Sequence, residues 1–102
     1  MEQLLVVLVS AAMRDDLIDA LIQHEDISGF SLQEISGFSR EHSQYSLNEQ
    51  VAGYRSMLRF EIQHTNSQES ALLALLEQVC RADHARYWIQ PLHRTGAIGS
   101  AF

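Results

Sequence analysis

The chain has 102 residues, room for one domain and too few for two. With 46% hydrophobic and 20% charged residues and a mean hydropathy of −0.11, its composition is globular, neither fibrous nor disordered. Seven basic residues against thirteen acidic leave a net charge of −6, which argues against a nucleic-acid binder. All seven are arginine, so Schiff-base and Walker-type lysine chemistry are excluded.

The first apolar run, Leu4-Leu5-Val6-Val7-Leu8-Val9, is preceded by an acid and no base and is too short for export or for a bilayer. It predicts a strand covered on both faces, because neither alternating set of side chains is polar. The single cysteine, Cys80, forms no internal disulfide and suits a reducing, cytoplasmic compartment.

Met13, Leu17, Ile18, Leu21 and Ile22 recur at helical spacing, with Asp15 and Asp16 early, where the helix dipole favours acids; the pattern ends near His24. Phe30, Leu32, Ile35 and Phe38 mark a second strand, whose slipped alternation between Leu32 and Ile35 predicts a bulge or a twist. Leu58, Phe60 and Ile62 alternate with Arg59, Glu61 and Gln63 in a third strand. Asn66 and Glu69 have the spacing of a capping box ahead of a second helix carrying Leu72, Leu73, Leu75, Leu76, Val79 and Cys80. A last strand, Arg86 to Gln90, stops at Pro91, which cannot donate to a central ladder.

Strand, helix, strand, strand, helix, strand is the order of an α+β, ferredoxin-like βαββαβ sandwich filling residues 1–102 as a single domain. The first and third strands are then central and both helices lie on one face. The opposite side of the first strand needs a cover, so we expect an oligomer packed through the open face of the sheet.

Between strands two and three lie residues 39–55, much longer than a hairpin needs and rich in polar groups. Ile35-Ser36-Gly37-Phe38-Ser39-Arg40 resembles the segment leading into the T-loop of PII signalling proteins. Arg94-Thr95-Gly96-Ala97-Ile98-Gly99 is similar to the PII tail, arginine-threonine-glycine, two residues, then glycine. Leu47-Asn48-Glu49-Gln50-Val51-Ala52-Gly53 resembles a pattern of the small PII-like family encoded beside heavy-metal efflux pumps.

This resemblance implies a non-catalytic homotrimer that senses a small effector or metal status and modulates a membrane efflux transporter. It implies an effector cleft between subunits built from Gly37, Arg40, Arg94, Thr95 and Gly96, and a partner-binding loop carrying Tyr45, Glu49, Gln50 and Tyr54. Where PII proteins hold phosphates with glycines and a lysine, this chain has Cys80-Arg81-Ala82-Asp83-His84-Ala85-Arg86, so the expected effector is an anion other than ATP. The residues do not identify a cofactor.

Two other readings stand beside this one. A direct metal-binding protein would use Glu41, His42 and Glu49 of the loop, an N,O set suited to zinc, copper or nickel. Cys80 and His84 form a possible i, i+4 pair if the second helix continues that far, but they lack a third ligand. His24 and His64 read as solvated helix and strand ends, and His93 as a cleft residue. A small enzyme of the dimeric monooxygenase type shares the fold class, yet no nucleophile elbow or isolated carboxylate pair is present, and we expect no enzymatic activity.

Overall fold

Leu4 to Val9 form the middle of β1 (Glu2–Ser10), and a 3-10 turn over Ala11–Met13 leads directly into α1 (Arg14–Gln23). The computed structural model describes residues 1–38 and 53–99. Within them β2 (Ser31–Gly37) and β3 (Arg55–Thr65) precede α2 (Glu69–Cys80), a 3-10 turn and β4 (Arg86–Pro91). The sheet runs β2-β3-β1-β4 with every neighbouring pair antiparallel, so β1 and β3 are central as the ferredoxin-like order requires.

One core lies between the sheet and the helix layer. Leu5, Val7 and Val9 of β1 and Leu58, Phe60 and Ile62 of β3 meet Leu17 and Leu21 of α1 and Leu72, Leu76 and Cys80 of α2. Each fully buried leucine or phenylalanine contributes roughly 1.5–3 kcal/mol of transfer free energy, which is why these positions hold both helices on one face. Phe30, just ahead of β2, adds its ring to Phe60 with centroids 6.1 Å apart.

Two local expectations are corrected. The register of β2 on β3 runs without interruption from Ser31 opposite Glu61 to Gly37 opposite Arg55, so there is no bulge. Leu32 pairs with Phe60 on the core side, whereas Ile35 pairs with Met57 on the other side. The helix cap is displaced by one residue: the Thr65 N–H donates to Gln68 Oε1 at 2.8 Å, and Gln68 Nε2 donates to the Asp26 carbonyl, tying α2 to the end of α1. Thr65 and Gln68 have the same spacing as Asn66 and Glu69, and only the position of the strand end decides between them.

The open face of β1 is also partly corrected. Val6 is 0% exposed in the isolated chain, flanked in the ladder by Glu61 and Trp88. Arg59 bridges to Glu61 at 3.1 Å and sits 5.5 Å from the Trp88 ring centroid. Long polar side chains therefore cover the centre of this face, and a second subunit is not needed to bury Val6. Leu4 and Leu8 beside it stay half-buried, and Trp88 is 39% exposed.

Candidate functional site

β1 and β2 finish, and β3 and β4 begin, at the same end of the sheet, the end from which residues 38–54 depart. Going along the helix-facing side of β2 towards that end, apolar Leu32 gives way to Glu34 and then Ser36. On β3 the same side passes from Phe60 and Leu58 to Ser56, directly opposite Ser36. The helix layer stops short of this corner because α1 begins only at Arg14.

The uncovered corner is a groove of about 540 Å³ lined by Arg14, Glu34, Ser36, Tyr54, Ser56 and Leu58, among others. Tyr54 is held against Phe38, their centroids 5.9 Å apart and their planes tilted by 42°. Gly37 ends β2 close against the Met57 side chain, which a Cβ there would meet. The sequence reading missed Glu34, Ser36 and Ser56. The signal was the strand alternation itself, which carries polar residues onto the inward side at the last two steps of the ladder.

A second groove, of about 580 Å³, runs between α2 and the start of β4 and is lined by Leu73, Cys80, Arg81, His84, Ala85 and Tyr87, among others. Burial first, and the Asp83 charge second, push the Cys80 thiol up to about 11 from 9.0, so at neutral pH it is a protonated, weakly reactive group. The Asp83 carboxylate accepts the Ser10 N–H at 2.9 Å and the Ser10 hydroxyl. That pair fixes the end of β1 to the turn before β4.

Helix α2 ends at Cys80, and His84 stands beyond a 3-10 turn in the left-handed conformation, φ 55°. Cys80 and His84 line one groove but are not a helical i, i+4 pair. Among the described residues no group of three or more His, Cys, Asp or Glu is placed to hold a metal. His64 is not a solvated end: it is 2% exposed, with Nδ1 donating to the Ile62 carbonyl at 3.1 Å and Nε2 3.0 Å from Gln3 Oε1. His24 caps α1 half-buried, and His93 is exposed.

The other candidates divide by position. Arg40, Tyr45, Gln50 and the loop set Glu41, His42 and Glu49 lie outside the described residues. Gly37 and Tyr54 stand at the insertion end. Arg94, Thr95 and Gly96 are exposed beyond β4, and β4 ends with Pro91 opposite Gln3, at the far end of β1. In ladder steps, Gly37 sits at the level of Arg55, while Gln3 sits at the level of His64. At ~3.3 Å per residue that is roughly 30 Å along the sheet, besides lying on opposite edges. The structure does not bring Gly37 and Arg94 into one site within a single chain.

No helix among the described residues is long and apolar enough to cross a membrane. A family described as "Protein of unknown function (DUF3240)" matches residues 1–99. A solved structure of a DUF3240 family protein from Shewanella baltica OS155 is 43% identical, with 96% of this chain and 97% of that chain covered and a TM-score of 0.80. No curated protein matches.

Proposed function

The chain belongs to the DUF3240 family, and we propose that it is a non-catalytic regulatory protein of PII-like type. It acts as a homotrimer that senses a small effector or metal status and adjusts a membrane heavy-metal efflux system. The observation that carries this reading is the separation of the two motif groups. Gly37 stands at one end of the sheet and Arg94, Thr95 and Gly96 follow its other end, on opposite edges. A cleft using both sets has to draw them from two chains, which is what subunit-interface effector binding requires. The tail agrees: residues 93–99 are exposed, and Gly96 has no heavy atom within 4 Å of where a Cβ would stand.

In that cleft glycine permits close backbone approach, and the Arg94 guanidinium pairs with an anionic group. The segment between β2 and β3 begins at Gly37, so a ligand held there lies at its root. The link to efflux rests on the resemblance of residues 47–53 alone.

Calorimetry of the metal-free full chain with ATP, ADP, cyclic AMP, copper and zinc tests the reading. Binding of an anionic ligand that weakens with salt and is lost in Arg94→Ala, with His42→Ala silent, supports the cleft. Binding of copper or zinc that weakens as pH falls through the histidine range and is lost in His42→Ala moves the sensor to the loop. Binding of none of them contradicts a nucleotide, copper or zinc effector.

A further inference from the structure

The groove at the insertion end lies at the same end of the sheet as Gly37 and is lined here from one chain, by residues other than Arg94, Thr95 and Gly96. Its walls carry opposite charges. Arg14 enters from the start of α1 and Glu34 from β2, both exposed, and the two are not paired with one another. Arg14 spends one nitrogen on Asp15, Nη1 to Oδ1 at 3.0 Å, an exposed contact that leaves most of its five N–H donors available. The floor supplies the Ser36 and Ser56 hydroxyls, which face each other across the β2–β3 ladder. The ring of Tyr54, backed by Phe38, lines the rim.

A cation alone would meet Arg14 and an anion alone would meet Glu34. A molecule carrying both charges satisfies each wall at once. We propose that this groove binds a small zwitterion of the amino-acid type, its carboxylate on Arg14 and its ammonium on Glu34 beside the Tyr54 ring, which attracts cations through its face. The hydroxyls of Ser36 and Ser56 take the remaining polar atoms. Glu34, Ser36 and Ser56 are exposed at the end of a strand side that elsewhere carries Leu32, Leu58, Phe60 and Ile62, so their polar atoms are open to a ligand. This inference rests on the reading of the protein as an effector sensor and names the class of effector for a site within the protomer.

A ruler of unbranched amino acids tests it: glycine, β-alanine, 4-aminobutyrate, 5-aminopentanoate and 6-aminohexanoate, with butyrate and butylamine as singly charged controls. Each is titrated calorimetrically into the full chain at low salt. The expected result is binding that peaks at one chain length, with both controls at least about tenfold weaker, and with Arg14→Gln and Glu34→Gln each weakening it at least about tenfold. Both substituted positions are exposed, so the variants fold, and circular dichroism on the same samples verifies it. No binding of any member, or binding indifferent to both substitutions, overturns the proposal. The mass of the samples, measured alongside, separates the two readings. A trimer that binds none of the series loses only the zwitterion site. A monomer that binds it keeps the site and loses the trimeric sensor.

Discussion

Asp83→Ala isolates the contact that fastens the end of β1 to the turn before β4. The substitution removes both acceptors used by Ser10, whose N–H donates to Oδ2 at 2.9 Å and whose hydroxyl donates to Oδ1. Ser10 is only 7% exposed, so water replaces the lost acceptor poorly. A hydrogen bond to a charged group is worth about 1.5–3 kcal/mol, and an unsatisfied buried amide costs about 1–3 kcal/mol. These contributions overlap, and Asp83 is itself half-buried, which brings the expected loss to about 2–4 kcal/mol. Asp83→Asn, which retains one carbonyl acceptor, loses about half as much, and Ser10→Ala, which keeps the amide paired, about 1 kcal/mol. Urea unfolding at one fixed protomer concentration gives the ranking through the midpoint and slope. The same change withdraws a negative charge from beside Cys80, so its thiol titrates lower than about 11 but still above 9.0, because burial is the larger cause. A loss under about 1 kcal/mol in Asp83→Ala, or Ser10→Ala costing as much as Asp83→Ala, refutes the argument, since the amide would then not depend on the carboxylate.

Cys80 also sets a pH dependence: its folded value, about 11, lies above 9.0, so the folded chain retains a proton that the unfolded chain releases. Stability is therefore complete below pH 9 and falls by about 2–3 kcal/mol up to pH 11; unfolding midpoints across that range show the slope, and Cys80→Ala flattens it. Gly37→Ala places a methyl against the Met57 side chain, whose flexible end yields, so it costs about 1 kcal/mol by urea unfolding; a loss above 3 kcal/mol would mean the backbone and not the thioether is the obstacle. Leu8→Glu puts a charge on the open face where Leu8 is half-buried, and it should leave the circular dichroism of the chain intact while reducing its mass in solution to that of the monomer.

Most of the fold was legible because its elements announce themselves by period. Leu4 to Val9 has no polar phase, Leu58, Phe60 and Ile62 alternate without a break, and the leucines of α2 follow a helical stripe. What the sequence hid was register. Leu32 and Ile35 read as a slip in one face, but the ladder sends them to opposite faces. Two capping pairs one residue apart have equal chemistry, and the last ladder step of β3 selects Thr65 and Gln68. His64 looked like a solvated end until the pairing of β3 with β1 set it opposite Gln3, which receives its ring. Gly37 and Arg94 belong to motifs that the resemblance assigns to one cleft, yet the pairing of Gly37 with Arg55 and of Pro91 with Gln3 places them at opposite ends of the sheet. Glu34, Ser36 and Ser56 were passed over for the opposite reason: polar residues in a strand read as lying on the face away from the helices until the phase is carried through from Leu32 and Phe60.

The central claim is that two chains must meet to join the halves of the effector cleft, and light scattering at micromolar protomer concentration measures that most directly. Three copies of an 11.6 kDa chain give a mass of about 35 kDa, which is the predicted result. A mass of one chain across the concentration range would contradict it, because Arg94 and Gly37 would then never share a site.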